Sequence, residues 1–356
     1  MVSSSRSPSP KVPQCPNGLF HFPSDSVLVT DADEDVMEIY MYLATMSDNT
    51  DKQDISKSSE GLGYLDLTQS VLELQLDLAI ASTKSVEEVD SYHQRKDARS
   101  RGKRGKKKGI EKNKEVQSVE VRLQQDLTAL KGRKGDTGSV LWRSSLYLAR
   151  HILSQYYHPS AEITPLLDPS LLKSSRILEL GCGTGLLAVL LSRICGQYTA
   201  SDRLENLKLK LVQRNIELNG LTIGNGKVNT LGSLQKSVEL EEIDWVQVSE
   251  DGKKRNSRPE PERNHEEYDV VLAVDCIYNE ALVPPLVDTF ARYCPIGGRT
   301  MVWVVVELRS ADVMTTFLDS WLQDSSGPWT IVRLGEDAMG DWDGKRPRWA
   351  GWVGWR

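Results

Sequence analysis

The segment Ile177–Leu187 restricts the possible folds of this 356-residue chain more than any other part of it. It reads as an apolar strand, then Gly181, Gly183 and Gly185 at alternate positions, then a helix that begins at Leu186. Glycine adopts backbone conformations that other residues avoid, and it leaves no side chain between the backbone and a ligand. The amide groups at the start of the helix favour anionic or electron-rich ligand groups. The segment therefore predicts a ligand-binding turn.

The spacing of the glycines distinguishes two classes of binding loop. A dinucleotide fingerprint has glycines at its first, third and sixth positions. Here the last glycine is at the fifth position, Gly185, and Leu186 occupies the sixth. Preceded by Glu179, the loop resembles the E-x-G-x-G-x-G loop of S-adenosylmethionine-dependent methyltransferases, and this resemblance implies S-adenosyl-L-methionine as the cofactor. A glycine-rich turn without a ligand is the alternative.

Patterns typical of strands and helices alternate around this loop. Strands are predicted over 176–180, 197–201, 238–243, 268–274, 300–307, 329–333 and 349–354, and helices over 144–157, 186–195, 204–219, 284–294 and 312–323. The last strand lies in a Trp-rich segment, for which an exposed aromatic patch is the alternative. Such alternation predicts an α/β fold with a parallel sheet and helices on both faces. Together with the loop, it predicts the class I (seven-β-strand, Rossmann-like) methyltransferase sheet.

The N-terminal third of the chain follows a different pattern. Residues 1–24 are rich in Ser and Pro, which predicts a disordered tail. An N-terminal elaboration is predicted over 25–136, with a short helix over 33–44. Alternating apolar residues over 72–80 and 119–123 predict two strands that pair as a β-hairpin.

This hairpin is predicted to carry a basic, disordered loop at about 95–115. Between Arg95 and Lys114, eleven of twenty residues are Lys or Arg, although the net charge of the chain is −6. Such a block repels itself and buries little apolar surface. It predicts a weak RNA contact, or a nuclear import signal that would add nuclear to cytoplasmic localisation, or else a solvated loop with no partner. The methyltransferase domain is predicted over 137–356, with an exposed, charged insertion at about 247–266.

Composition argues against several other classes of protein. The five cysteines are widely spaced and include no C-x-x-C pair, so neither a metal site nor a disulfide framework is predicted. Reduced thiols are typical of an intracellular protein. The sequence has no charged-then-apolar leader and no apolar run of about 18 residues, so neither secretion nor membrane insertion is expected.

Acidic residues follow several predicted strands, at the edge where open α/β sheets bind ligands. Asp202 follows the second strand, where a carboxylate can accept hydrogen bonds from both ribose hydroxyls. Asp244 and Trp245 follow the third, where they can contact the amino group and the ring of an adenine. Asp275 follows the fourth, beside the expected position of the reactive methyl group. Any one of these acids is compatible with a helix cap or a turn, but their spacing as a set favours a nucleoside site.

The segment Val274–Asn279 carries a more specific resemblance. An apolar strand followed by Asp-x-x-Tyr, from Asp275 to Tyr278, resembles the motif of the seven-β-strand protein lysine methyltransferases, methyltransferase family 16. Leu141-Trp142 and Asp244-Trp245 match the upstream tryptophan motif and the adenine-side motif of that family. The stretches that are similar to the fungal ribosomal lysine N-methyltransferase 5 type are Gly138–Trp142, Val274–Asn279, Leu308–Ser310 and the basic block.

This resemblance implies a role for each matching residue. Asp275 and Tyr278 would border the lysine channel as the catalytic residues, although Tyr278 is also compatible with the start of a helix. Trp142 would lie over the cofactor or close the site, or else be an ordinary core aromatic. The other implied cofactor contacts are the loop residues Gly181, Cys182 and Gly183, the ribose ligand Asp202, the adenine contact Trp245 and the backbone of Ala273. No metal is implied.

The reaction that the resemblance implies is methyl transfer from a sulfonium to the neutral ε-amine of a protein lysine. It requires alignment of the reactants, with no metal and no covalent nucleophile. Asp275 is expected to capture and orient the lysine, and water to accept its proton. The expected partner is a ribosomal protein. The alternatives are another protein such as a chaperone, or a ribosome- or RNA-binding role for an inactive fold that still binds the cofactor.

Overall fold

A nine-stranded sheet forms the centre of the fold. The computed structural model describes residues 12–47, 63–78, 117–128, 138–160, 163–203, 210–224, 236–255, 267–339 and 348–356. Their strands are β1 (Val27–Val29), β2 (Val71–Leu78), β3 (Gln117–Gln124), β4 (Arg176–Leu180), β5 (Gln197–Asp202), β6 (Thr222–Ile223), β7 (Ser237–Glu242), β8 (Val270–Val274), β9 (Met301–Glu307), β10 (Thr330–Arg333) and β11 (Trp349–Trp355). Their helices are α1 (Ala32–Ser47), α2 (Arg143–Tyr157), α3 (Pro169–Leu172), α4 (Leu186–Leu191), α5 (Leu211–Leu218), α6 (Trp245–Arg255), α7 (Val283–Tyr293), α8 (Ala311–Leu322) and α9 (Glu336–Met339), with a 3₁₀ turn at Glu280–Leu282.

The sheet has the order β1-β10-β11-β9-β8-β4-β5-β7-β6. Neighbouring strands from β9 to β6 pair in parallel, whereas β11 is antiparallel to both β9 and β10, and β1 is antiparallel to β10. This α/β sheet confirms the predicted fold class, and each predicted strand is present within two residues of its predicted bounds. The parallel arrangement brings the carboxyl ends of β4, β5, β7 and β8 to one edge, as the sequence predicted.

Alternate residues of the central strands face two separate apolar layers. In β9, Trp303 and Val305 pack in the layer that contains α2 and α4, whereas Val304 packs in the layer that contains α7 and α8. Because both faces are covered by helices, every residue of β8 is buried, which explains its uninterrupted apolar sequence.

The N-terminal segment is part of this core. Leu19 and Phe20 are buried, and the Phe20 ring packs edge-on against Trp303 with centroids 5.3 Å apart. The amide of Asn17 donates hydrogen bonds to the carbonyls of Asp269 and Arg299, both 3.0 Å away. The prediction of a disordered tail is therefore wrong for residues 12–24, because a few apolar residues between the prolines reach the sheet. Residues 1–11 lie outside the described part.

Two other N-terminal predictions are confirmed. The helix predicted over 33–44 is α1, and the two alternating strands pair as the antiparallel hairpin β2–β3, with Leu78 opposite Gln117. Asn215 of α5 holds the other end of the hairpin, since its Oδ1 accepts from the Gln124 amide at 2.7 Å and its Nδ2 donates to the Gln124 carbonyl at 2.9 Å. The basic loop predicted at 95–115 lies outside the described residues.

The segment predicted to be a charged insertion at 247–266 begins as a helix. Asp244 caps α6, since its Oδ1 accepts a hydrogen bond from the Val246 amide at 2.9 Å. Ser249 is buried and donates a hydrogen bond to Asp288 of α7. The segment is therefore helical up to Arg255 rather than non-periodic, but apart from Ser249 its described residues are exposed or half-buried, as expected, and residues 256–266 lie outside the described part.

The Trp-rich end of the chain is strand β11, as predicted, and its Gly354 makes room for the Trp321 ring. We expect Gly354→Ala to lower the free energy of unfolding by about 1–3 kcal/mol, because the new Cβ would overlap the Trp321 indole, 2.9 Å from its Cη2 atom. Urea denaturation measures the change. Gly252→Ala in α6 is the control: no atom lies within 4 Å of its new Cβ, so we expect a gain of about 0.5–1 kcal/mol. Equal effects of the two substitutions would contradict this packing argument.

Candidate active site

The glycine loop packs closely against residues from other strand ends. Gly181, Gly183 and Gly185 have φ angles of +67°, +53° and +77°. A Cβ at Gly181 would lie 3.1 Å from Cys276 Sγ and 3.3 Å from the Trp245 indole. The loop therefore requires glycine both for its backbone conformation and for space. Bare backbone beside an indole ring forms a cradle that fits an adenosyl group.

Asp202, the predicted ribose ligand, lies at the carboxyl end of β5 and contacts this loop. Its carboxylate accepts hydrogen bonds from the amides of Gly183 (3.0 Å) and Arg203 (2.7 Å), and the residue is 8% exposed. These amides fix the orientation of the carboxylate beside the glycines. The ribose contact itself stays a prediction.

Trp245 and Cys182, two predicted cofactor contacts, also lie at the loop. Trp245 is half-buried at the start of α6, and its ring lies beside Gly181. Cys182 is buried, and its amide donates a hydrogen bond to the Ser201 carbonyl at 2.9 Å. Asp244, which the sequence placed near the adenine, uses Oδ1 for the helix cap instead, so the alternative reading of this acid is the one observed.

Glu179 is a buried acid under the loop. Burial raises its pKa to about 8, and the nearby Asp202 carboxylate adds to the increase, while a hydrogen bond from the Tyr198 hydroxyl at 2.9 Å opposes it. At neutral pH this side chain is therefore mainly protonated. The residue that begins the glycine motif thus adds little negative charge beneath the cofactor site.

Asp275, the predicted lysine ligand, forms a buried ion pair. Its φ angle of +57° is rare for a residue other than glycine, although aspartate tolerates it better than most. Arg309 donates two hydrogen bonds to this carboxylate, both 2.7 Å long, and the Asp275 side chain is only 3% exposed. The Ser144 hydroxyl, at 3.2 Å, and the Glu307 amide, at 3.3 Å, also donate to it. The carboxylate that was expected to meet a substrate lysine therefore already binds a cation of the protein, and its role towards lysine stays a prediction.

A second carboxylate extends this ion pair into a network. Glu307 contacts Arg143 (3.1 Å) through one oxygen and Arg309 (3.2 Å) through the other. Burial raises the pKa of Glu307, and both arginines oppose the increase. Burial lowers the pKa of Arg309, but the hydrogen bonds and charge of Asp275 outweigh this effect and raise it.

Trp142 covers the network. The Arg309 guanidinium lies over its indole, 5.2 Å from the ring centroid, which is a cation–π contact. Tyr64 packs edge-on against the same indole, and the Gly63 carbonyl accepts from the Arg143 amide at 2.9 Å. A Cβ at Gly63 would overlap both Glu307 Oε2 and Arg309 Nη2. Trp142 is therefore part of a closed structure at the site, and its contact with the cofactor stays a prediction.

The last two predicted residues flank the network. Ala273 is fully buried in β8 between Leu180 and Val304, and its backbone contact with the cofactor stays a prediction. Tyr278 is 43% exposed and precedes the 3₁₀ turn that Asn279 caps, so it does not begin a helix. Within the described ranges, no cluster of His, Cys, Asp and Glu residues could hold a metal ion.

Sequence reasoning missed the residues that surround Asp275. The sequence marks Leu308–Ser310 only as a stretch of family similarity, and it predicts no role for Arg309, Arg143, Ser144 or Glu307. Arg309 and Glu307 lie at the end of β9, which is adjacent to β8 in the sheet. The sequence signal for these residues is therefore the presence of charged residues at the end of the strand next to β8.

The glycine loop with an acid at the next strand end defines a methyltransferase of the class I fold. A family model described as lysine methyltransferase matches residues 121–323, more than half of the chain. The chain belongs to this family, methyltransferase family 16, as the sequence predicted. Its cofactor is S-adenosyl-L-methionine.

Curated relatives of this chain carry different names. A Schizosaccharomyces pombe protein named diaminohydroxyphosphoribosylamino-pyrimidine deaminase is 30% identical over 201 residues, which cover 56% of this chain and 41% of that protein. The Eremothecium gossypii ribosomal lysine N-methyltransferase 5 is 26% identical over 223 residues, covering 53% of this chain and 67% of that one. The Chaetomium thermophilum protein-lysine N-methyltransferase EFM3 is 26% identical over 186 residues, which cover 52% of this chain and 46% of that protein. This chain thus spans less than half of the first and third relatives and about two thirds of the second.

Among solved structures, similarity is low. A SAM-dependent methyltransferase from Streptococcus mutans superposes with a TM-score of 0.36 at 10% identity, covering 67% of this chain and 52% of that one. A ribosomal protein L11 methylase from Lactobacillus delbrueckii gives a TM-score of 0.32 at 12% identity, covering 58% and 77%. Likeness at this level carries no argument about function.

The buried acid under the loop leads to a prediction about stability. A carboxyl group whose pKa is raised on folding binds more protons in the folded state between about pH 4.3 and its folded pKa near 8, so it destabilises the fold as pH rises through that window. Glu179→Gln removes the ionisable group and with it the loss of stability at higher pH. We therefore expect the melting temperature of the variant, minus that of the unaltered protein at the same pH, to increase from pH 5 to pH 8. Glu73→Gln, at an exposed hairpin position, is the control and should show no such trend. A constant difference for Glu179→Gln across this range would contradict the assignment.

Proposed function

We propose that this chain is a protein-lysine N-methyltransferase that methylates a lysine of a ribosomal protein. Family membership supports the reaction class, and the similarity to a relative named ribosomal lysine N-methyltransferase 5 supports the substrate class. The proposal includes the alternative that the substrate is another protein, such as a chaperone, since two protein-lysine methyltransferases with other names match this chain over 186 and 138 residues.

The observation that carries the proposal is the contact between the Asp-x-x-Tyr segment and the glycine loop. The Cys276 thiol donates a hydrogen bond to the Leu180 carbonyl at 3.3 Å and lies beside Gly181. Asp275 and Tyr278 flank this contact point in sequence, so a protein lysine that approached them would be close to a methyl group held by the loop. This adjacency is what methyl transfer requires.

The mechanism follows from alignment and proton loss. When bound, S-adenosyl-L-methionine supplies a methyl group already activated by its sulfonium. The loop glycines and Trp245 would bind the adenosyl and amino-acid parts, and Asp202 would hold the ribose. Tyr278 and the network around Asp275 would align the lysine amine within about 3–3.5 Å of the methyl carbon. Lysine has a free pKa of about 10.4, so its ammonium must first lose a proton, which passes to water.

We also propose that the protein works in the cytoplasm and the nucleus, where its basic block could contact RNA in addition to the protein substrate. This part of the proposal rests on the sequence of residues 95–114, which lie outside the described part. Among the described helices, none is long and apolar enough to cross a lipid bilayer.

The proposed adenine contact can be measured directly. We expect Trp245→Ala to weaken S-adenosyl-L-methionine binding by about 1–3 kcal/mol, because aromatic burial against the ligand is lost. Isothermal titration calorimetry measures the affinity. Tyr157→Ala is the matched control and should leave the affinity unchanged. Tyr157 is an exposed aromatic residue at the C-terminal end of α2, whereas Trp142 precedes the N-terminal end of that helix. An unaltered affinity for Trp245→Ala would refute the contact.

The proposed activity is tested with methyl-labelled S-adenosyl-L-methionine and a cell extract heated to inactivate its own enzymes. We expect one labelled ribosomal protein, and mass spectrometry should place the label on lysine. The control is Tyr278→Phe, which we expect to lower labelling at least about tenfold with unchanged cofactor affinity, since the proposed role of the hydroxyl is towards the lysine and not towards the cofactor. Label on a non-ribosomal protein would support the alternative substrate, and no labelled protein would support an inactive, cofactor-binding fold.

A further inference from the structure

Four charged side chains at the site form two balanced pairs. Arg309 binds both carboxylate oxygens of Asp275, and Arg143 and Arg309 contact the two oxygens of Glu307. All four side chains are largely buried, with exposed fractions between 3% and 29%. Two positive and two negative charges leave the network close to neutral.

This balance matters for the reaction proposed above, on which the inference rests. A methyl group is transferred only to an uncharged amine, yet an unpaired carboxylate next to a lysine would stabilise its ammonium form. Two buried, unpaired carboxylates would therefore oppose the reaction that they border. An arginine that pairs with the carboxylate cancels most of the attraction between that carboxylate and the lysine ammonium, because the guanidinium stays charged at every working pH.

We propose that Arg309 is a positioning residue that neutralises Asp275 and Glu307, so that a lysine entering the site meets little net charge and loses its proton readily. The geometry points to this role because the guanidinium is fixed from three sides. Asp275 binds it in a bidentate manner, Glu307 binds it from the side, and the Trp142 ring covers its face. A guanidinium held in this way cannot move freely aside to leave a carboxylate exposed.

Other titratable groups near the network do not alter this balance strongly. Arg348 is exposed, and its charge has a smaller effect on the pKa of Glu307 than the charges of Arg309, Arg143 and Asp275. Burial, and then the charge of Asp275, raises the pKa of Cys276 well above its usual value, so this thiol is uncharged. Glu179 is mainly protonated, and the Asp202 carboxyl group accepts hydrogen bonds from the backbone amides of Gly183 and Arg203. The Ser144 hydroxyl is neutral.

In the alternative role, Arg309 blocks the binding site of the substrate lysine. In that case the guanidinium occupies the place of the substrate ammonium, and the lysine must displace it before methyl transfer. The two roles differ in what removal of the arginine does. If Arg309 blocks the lysine site, its removal would speed the reaction at every pH. If Arg309 neutralises the carboxylates, its removal would raise the midpoint of the pH dependence and slow the reaction at neutral pH.

The test is the pH dependence of single-turnover methyl transfer, with the enzyme in excess over the labelled protein of the heated extract, from pH 6.5 to 9.5. Single turnover reports the chemical step, and its midpoint reports the ionisation of the bound amine. We expect Arg309→Gln to move this midpoint up by about one pH unit, because the bound ammonium then faces uncompensated carboxylates. Arg309→Lys, which keeps the charge, should leave the midpoint close to that of the unaltered enzyme.

Two controls separate charge from structure. The double variant Asp275→Asn with Arg309→Gln removes one charge of each sign, so its midpoint should return towards the original even if the rate stays low. Arg333→Gln removes a buried arginine of β10, two strands from β9, that pairs with Asp35 and Glu38 rather than with the network, and it should leave both midpoint and rate unchanged.

The outcomes decide between the roles. Three outcomes overturn the inference and leave the proposed function intact. They are an unshifted midpoint in Arg309→Gln, an equal shift in Arg333→Gln, and a faster rate of Arg309→Gln at every pH. If Arg309→Gln does not fold, Arg143→Gln removes the second positive charge of the network and must shift the midpoint in the same direction. An unaltered enzyme that labels no lysine overturns the proposed function and this inference together.

Discussion

The close packing of the glycine loop against the segments that follow β7 and β8 is the contact on which the candidate site depends. With no side chain at Gly181, the indole of Trp245 and the thiol of Cys276 approach the loop backbone directly. The same loop fixes Asp202 through a backbone amide. The ends of four strands, β4, β5, β7 and β8, are thereby held close to one another, and each contributes a predicted ligand-binding residue. The family's chemistry can be located on this chain because these ends meet.

Much of this arrangement was predictable, because it follows from local patterns. The period of apolar residues gave the strands of the sheet, and the glycine spacing gave the class of loop. The segment 12–24 was not predictable from composition, since Ser and Pro are typical of disorder and only the burial of Leu19 and Phe20 shows otherwise. The ion pair between Asp275 and Arg309 was not predictable either, because the residues are 34 positions apart and meet only through the register of β8 with β9. Asp244 shows the converse case, in which the local reading as a helix cap was sufficient.

The acids of the site are held in three different states, although the sequence shows them only as acidic residues after or within strands. Glu179 is kept mainly protonated by burial, and the Asp202 carboxyl group accepts hydrogen bonds from two backbone amides. Asp275 is matched by an arginine. Each arrangement limits the free negative charge that faces the bound cofactor, whose sulfonium is itself a cation. Electrostatic control at this site therefore comes from the neighbours of the acids rather than from their number.

The register of the β2–β3 hairpin has a consequence for the rest of the chain. Leu78 and Gln117 lie opposite each other, so the residues between them leave and re-enter the fold at one point. The strands extend about 27 Å from the end that α5 holds near the glycine loop, at about 3.4 Å per residue. The described part of the fold therefore fixes the two ends of the segment 79–116 side by side, and this arrangement sets no requirement on the length of the connection. Closing a longer loop between two such fixed ends adds only about 0.6 kcal/mol for each doubling of its length.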